Sequence, residues 1–209
     1  MCKFFSAIET KKKTLWAFGV DSHENLLELF KIKDETNSPN FVRVEYVPDE
    51  KGVFKLNIDQ DFRPDWFDEN KTEKRLAKII RENSITEDID IISGQYLCCY
   101  TNVGKMVGNS FIGTMLGSSQ VGEMRESSKV GTMWGSSKIG KMLNSSKIGK
   151  MWGSSKVGEM LGSSQVGKMW GSSKVGKMWG SSKVGEMLGS SQVGKMWGSS
   201  QILNKNNGV

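Results

Sequence analysis

A nine-residue pattern, x-[VI]-G-x-M-x-x-x-S, runs eleven times from residue 102 to residue 200 without insertion or deletion. Its cleanest copy is Lys174-Val175-Gly176-Lys177-Met178-Trp179-Gly180-Ser181-Ser182. A strict short period marks a solenoid, because one unit cannot bury its apolar face alone and must stack on its neighbours. Tolerance within the chain separates buried columns from exposed ones. Position two is only Val or Ile, position five only Met (Met106 to Met196) and position nine only Ser (Ser110 to Ser200). Position four takes Lys, Thr or Glu, and position six begins Val107, Leu116, Arg125, Trp134, Leu143. A buried column does not accept Arg, since an unpaired interior charge is strongly unfavourable. Positions two, five and nine therefore point inward, and positions four and six flank Met and point outward.

A helix is excluded, because each internal Gly costs about 1 kcal/mol against Ala and every copy carries Gly at position three and Ser at position nine. The glycines at positions three and seven read as corners, where a positive φ costs Gly nothing. Position seven departs from Gly only at Glu126 and Asn144. Glu tolerates left-handed geometry poorly, so the third repeat is expected to be the most distorted.

Nine residues are too few for a closed coil. Two repeats make 18 residues, and three make 27, the visible duplication unit: residues 147–173 and 174–200 differ only at Ile148 and Val175. Charge chooses between them. With 18 residues per coil, one position-four column reads Lys105, Glu123, Lys141, Glu159, Lys177, Lys195. Opposite charges then alternate at the strand spacing of about 4.8 Å. With 27, Glu159 stacks on Glu186 and Lys141 on Lys168 and Lys195, which is unfavourable. The shorter coil is expected, at about five and a half coils and roughly 26 Å of solenoid. It places Trp134, Trp152 and Trp170 in one ladder and Trp179 and Trp197 in another.

The unit Met-x-Gly-Ser-Ser-x-Val resembles the hexapeptide repeat of left-handed β-helix proteins with three residues added, which implies a fold and not an activity. The nine-residue length is also similar to the calcium-binding β-roll repeat. That repeat needs Gly-Gly-x-Gly-x-Asp, and residues 93–209 contain no Asp.

The expected architecture is an α+β N-terminal domain followed by an all-β solenoid. The boundaries are residues 1–92 for the domain, 93–101 for a junction or cap, 102–200 for the repeats and 201–209 for a C-terminal cap and tail. Charge follows the division. Residues 1–92 carry 15 Lys and Arg against 19 Asp and Glu, a net of −4, and residues 93–209 carry 14 against 4, a net of +10. Such a split favours an anionic partner for the solenoid, or attraction between the two parts of different copies.

The N-terminal domain reads as ββα-ββα-β. Lys3–Ile8 and Thr14–Val20 form a hairpin, and Asp21 caps a helix with Glu24 three residues on. Phe41–Val47 and Val53–Ile58 flank the turn Pro48-Asp49-Glu50-Lys51-Gly52, residues 69–82 form a helix with Leu76, Ile79 and Ile80 inward, and Asp88–Ser93 is a last strand. Tyr96-Leu97-Cys98-Cys99-Tyr100 reads as a cap on the first coil, and the polar tail Asn204–Val209 as protection for the terminal strand edge. The start Met-Cys-Lys-Phe-Phe-Ser-Ala, the entry Asp-Ser-His-Glu and the loop Asp-Trp-Phe-Asp resemble uncharacterised phage and gut-bacterial repeat proteins, a resemblance that implies no known chemistry.

No catalytic or metal-ligating set is assigned, and no cofactor is expected. Cys2 after the initiator Met suits an N-terminal nucleophile of a hydrolase-like domain, but nothing signals the oxyanion donors it needs. His23 stands alone and reads as a surface or capping residue. Asp59, Asp61, Asp65 and Asp68 could hold a cation, but Pro64 interrupts them and Trp66 and Phe67 read as anchors of a solvated loop. Regular solenoids also suit ice, yet Thr appears at position four only as Thr114 and Thr132.

The outward columns are the functional signal. Trp134, Trp152, Trp170, Trp179 and Trp197, with Lys129, Lys138, Lys147, Lys156, Lys174 and Lys183 at position one, form the expected binding surface. Exposed apolar columns usually mark contact. Self-association to a homo-oligomer leads, because each copy carries the same surface. Binding of nucleic acid or an anionic glycan along the Lys and Trp columns is the alternative. No apolar run is long enough to span a membrane and no signal segment is visible, so the expected location is the cytoplasm, or the virion if phage-borne.

Overall fold

The structure is a computed structural model that describes residues 5–20, 22–35, 37–49, 53–91 and 93–205. The chain divides into two compact units, residues 1–83 and 84–209.

The first unit runs β1 (Phe5–Thr10), β2 (Thr14–Leu15), α1 (His23–Leu29), β3 (Phe41–Pro48), β4 (Phe54–Ile58), α2 (Glu69–Glu82). Its strands form one antiparallel sheet in the order β2-β1-β3-β4. Helix α1 packs on β1 and α2 on β4. Ile8, Leu15, Leu26, Leu27 and Phe41 make a buried cluster. Helix α1 is capped by Ser22, whose hydroxyl accepts the Asn25 N–H at 3.4 Å from an extended backbone. The cap expected at Asp21 therefore falls one residue later, and Asp21 itself lies outside the described residues. Asp68 caps α2 by accepting the Lys71 N–H at 3.0 Å, and Leu76 and Ile80 are buried beneath it.

The second unit is a parallel β-solenoid of two sheets, of eight and seven strands. Successive strands alternate between the sheets, and each pairs with the strand one coil on: Val121 with Ile139, Met124 with Met142. The coil is thus 18 residues, two repeats. The pairing places Glu123 between Lys105 and Lys141 and Glu159 between Lys141 and Lys177. Val, Ile and Met from both sheets fill a single core.

The solenoid begins before the repeats do. Strands Ser84–Ile85, Ile89–Ile91 and Gln95–Cys99 pair with the coils that follow, so residues 84–91 belong to it and not to the N-terminal domain, whose boundary was expected at residue 92. Strand Gln201–Lys205 extends the other end by pairing with Lys183–Met187. Eight stacked strands span roughly 34 Å, more than the repeats alone imply.

The two glycine columns do different work. Position seven is a corner: Gly108 to Gly198 have φ between 59° and 68°, and the next N–H but one closes the turn, as Ser137 N–H does on the Trp134 carbonyl at 3.3 Å. Glu126 (φ 58°) and Asn144 (φ 57°) adopt the same angle. The third repeat is not distorted, because the Glu126 carboxylate accepts the Gly108 N–H at 2.8 Å and the Asn144 side-chain oxygen accepts the Glu126 N–H at 3.3 Å. Position three is not a corner; it lies mid-strand without a positive φ. Positions two and five are three apart, so simple alternation cannot turn both inward. The strand bends between them, and a Cβ on Gly149 would sit 2.6 Å from the Gly131 carbonyl oxygen of the coil below. Position nine buries Ser110 to Ser191, and the Ser119 hydroxyl lies within hydrogen-bond reach of the Cys99 thiol.

Two carboxylates cap the first strand of the repeats. Asp88 accepts the Thr101 hydroxyl at 2.6 Å and the Asn102 N–H at 3.1 Å, and Asp90 accepts the Lys105 N–H at 2.8 Å. The Thr101 hydrogen bond, then the Asn102 N–H, hold the Asp88 carboxyl below its ordinary value. A carboxyl whose folded pKa is depressed stabilises the fold above its unfolded pKa, about 3.9, and loses that contribution as pH falls through the folded value. Asp88→Asn should therefore lower the urea midpoint of the solenoid at pH 7, with the gap from wild type closing below about pH 4. A gap that stays constant down to pH 2 contradicts this capping role.

Candidate interaction surface

Position six follows each strand and opens each corner, so its side chains stand along the two edges of the solenoid. Coil register makes one edge column Tyr100, Leu116, Trp134, Trp152, Trp170, Leu188, of which Leu116 is buried, and the other Val107, Arg125, Leu143, Leu161, Trp179, Trp197. The indoles stack face to face. Trp134 and Trp152 are 5.3 Å apart at 6°, Trp152 and Trp170 4.3 Å at 14°, and Trp179 and Trp197 4.0 Å at 12°. Rings stacked along the coil axis cover each other's faces and present their edges outward. Trp134, Trp152 and Trp170 are half-buried by this arrangement, whereas Trp179 and Trp197 are 40% and 37% exposed. Between the stacked indoles a flat ring ligand has no free face to stack on. Lys168 Nζ lies 5.7 Å above the Trp170 ring, a cation–π contact from a position-four residue that the repeat pattern does not single out.

Lys129, Lys138, Lys147, Lys156, Lys174 and Lys183 are all exposed on the sheet faces. Among the described residues none of them makes an ion pair, in contrast to position four, where Lys177 meets Glu159 at 3.1 Å and Lys168 meets Glu186 at 2.8 Å. The position-one lysines line clefts over the glycine columns, and no Trp lines them. The Trp and Lys sets therefore form separate surfaces.

Of the N-terminal candidates, the structure brings His23 and Asp59 together. Cys2 lies outside the described residues. His23 is buried, not on the surface: Nδ1 is 3.0 Å from an Asp59 carboxylate oxygen and Nε2 3.0 Å from the Val44 carbonyl oxygen. It ties the start of α1 to β3 and to the loop after β4. Asp68 is a helix cap, Asp61 and Asp65 are exposed, and Trp66 donates its indole N–H to the Pro39 carbonyl at 2.7 Å. No group of three or more His, Cys, Asp or Glu able to hold a metal ion occurs among the described residues. Burial pushes the Cys98 thiol up to about 12 and raises that of Cys99, so neither supplies a thiolate nucleophile near neutral pH. No helix among the described residues is long and apolar enough to cross a membrane.

No protein-family model, no curated protein and no solved structure matches this chain.

Proposed function

We propose that this is a non-enzymatic structural protein whose solenoid self-associates through its edge columns of Trp and Leu. The observation that carries this reading is the stacked ladder Trp134–Trp152–Trp170 on one edge. A two-fold axis through Trp152 would set Trp134 against the partner's Trp170, the self-complementarity that an isologous dimer needs. Aromatic edges packed against aromatic edges are favourable contacts, and such anchors dominate interfaces of modest area. Replacing Trp152, Trp170, Trp179 and Trp197 together with Ser should leave the β-sheet circular dichroism unchanged, because the Val, Met and Ser columns remain. The particle should shrink by light scattering. An unchanged particle size sinks the reading.

A second reading, binding of an anionic polymer, is supported by the position-one lysines, which stack in register without counter-charges. Such binding should weaken steeply with salt through counterion release, and charge reversal at Lys147, Lys156 and Lys174 should weaken it further. Under either reading the protein works in the cytoplasm, or in the virion if its resemblance to phage repeat proteins reflects its origin.

A further inference from the structure

The position-three glycines leave a strip without side chains on each sheet face. One strip passes over Gly140, Gly158 and Gly176 and is edged by Lys138, Lys156 and Lys174, with a cleft volume of about 520 Å³. Its counterpart on the other sheet, over Gly131 to Gly185, has a volume of about 440 Å³. The floor is Gly and the backbone of the Val and Ile column, so it is flat and apolar.

The charge at its edge is unusual for a sheet. Lys138 pairs directly with Lys156 and Lys156 with Lys174, which sets like charges side by side at about 4.8 Å, an unfavourable arrangement. Position four of the same strands relieves its own charge by alternating Lys and Glu. Position one does not, and an anion lying along the strip would supply the missing counter-charge. A separate cleft adjoins the strip at Gln120 and Gly122 and is lined by Asp88 and Asp90, whose carboxylates repel an anion and confine the basic strip to the coils beyond them.

Three properties of the strip select its ligand. It is long and narrow, so the ligand is linear. Its floor is apolar and smooth, so the ligand has a C–H face and no bulky branch. Its charges recur once per coil, a spacing close to the length of one pyranose unit. A nucleic acid satisfies the charge but finds no aromatic side chain along the strip for its bases to stack on. We propose that the lysine-edged glycine strip over Gly140, Gly158 and Gly176 binds a linear anionic polysaccharide. This rests on the polymer-binding reading and locates it on the sheet face, away from the Trp columns.

The test titrates the full chain by calorimetry with a polyuronate oligosaccharide, its neutral counterpart and a single-stranded DNA of equal charge, at low and physiological salt. Three proteins are compared: wild type, Lys138→Gln with Lys156→Gln and Lys174→Gln, and Trp152→Ser with Trp170→Ser. Gln already occupies position one at Gln120, Gln165 and Gln192, so the triple change is one the fold accepts. The strip predicts polyuronate binding that the neutral sugar lacks, about tenfold weaker in the Lys variant with a shallower salt dependence, and unchanged in the Trp variant. DNA bound as tightly as polyuronate overturns the polysaccharide assignment. Polyuronate binding lost in the Trp variant and kept in the Lys variant overturns the strip but leaves polymer binding standing. Absence of binding by both polyanions overturns both.

Discussion

Gly149→Ala should destabilise the solenoid by about 3 kcal/mol or more, the upper end of what overpacking costs. The new Cβ would meet the Gly131 carbonyl oxygen at 2.6 Å. That atom is backbone, held in the sheet on both sides, and cannot swing away as a side-chain end would. Relief requires the two coils to part, which breaks the hydrogen bonds flanking the bend. Gly162→Ala is the control. It sits at a corner with φ 67°, and its Cβ would come no closer than 3.2 Å to the Asn144 backbone. Its cost is the left-handed penalty of about 1–2 kcal/mol, one the chain already bears at Glu126 and Asn144. The two urea midpoints should separate clearly. Equal midpoints would mean that position three tolerates a side chain and that its Gly is incidental.

Met151→Ala should cost about 2–5 kcal/mol, and Met151→Leu less than about 1.5 kcal/mol. Met151 is fully buried and stacked in register between Met133 and Met169. Truncation removes its contacts to both neighbouring coils and to the facing sheet, and a solenoid has few other elements that can collapse into the gap, because each coil touches only its neighbours. An unbranched side chain suits a column that must repeat without registry errors, since it adapts to small differences between coils. The last strand shows what ends the column: Lys205 takes the Met register opposite Met187, and it is exposed. Thermal unfolding of the two variants against wild type measures both costs. A Leu variant as unstable as the Ala variant would show that shape, not volume, limits the site.

Much of the solenoid was legible from residues alone. Arg125 at position six identified an outward column, and the alternation of Lys105, Glu123, Lys141 and Glu159 selected the 18-residue coil over the 27-residue duplication unit. Both follow because identical coils place like positions side by side, so a charge column reports register directly. A strand at Asp88–Ser93 and a cap at Tyr96–Tyr100 were expected, but the pairing of residues 84–99 into the solenoid's sheets was hidden because they lack the Gly, Met and Ser columns; Asp88 and Asp90 supply side-chain oxygens where a preceding repeat would supply backbone carbonyls. The mid-strand role of position three was hidden for another reason. A glycine letter is the same whether it provides a positive φ or makes room for a neighbouring backbone, and only the fold distinguishes Gly149 from Gly153. His23 was misplaced because one histidine carries no period; its burial depends on Asp59 and on the carbonyl of Val44, far away in sequence. The division of the outward residues was not legible: Trp and Lys fall near each other in the repeat, yet the corner sends the Trp set to the edges and the strands hold the Lys set on the faces.

Self-association through the edge columns is tested most directly by sedimentation equilibrium of the unaltered protein from low micromolar to tens of micromolar concentration. The account predicts a mass that rises from that of one chain toward that of two, with no dependence on added polyanion. A single-chain mass across the whole range would contradict it and leave the Trp columns as cover for the solenoid's own edges.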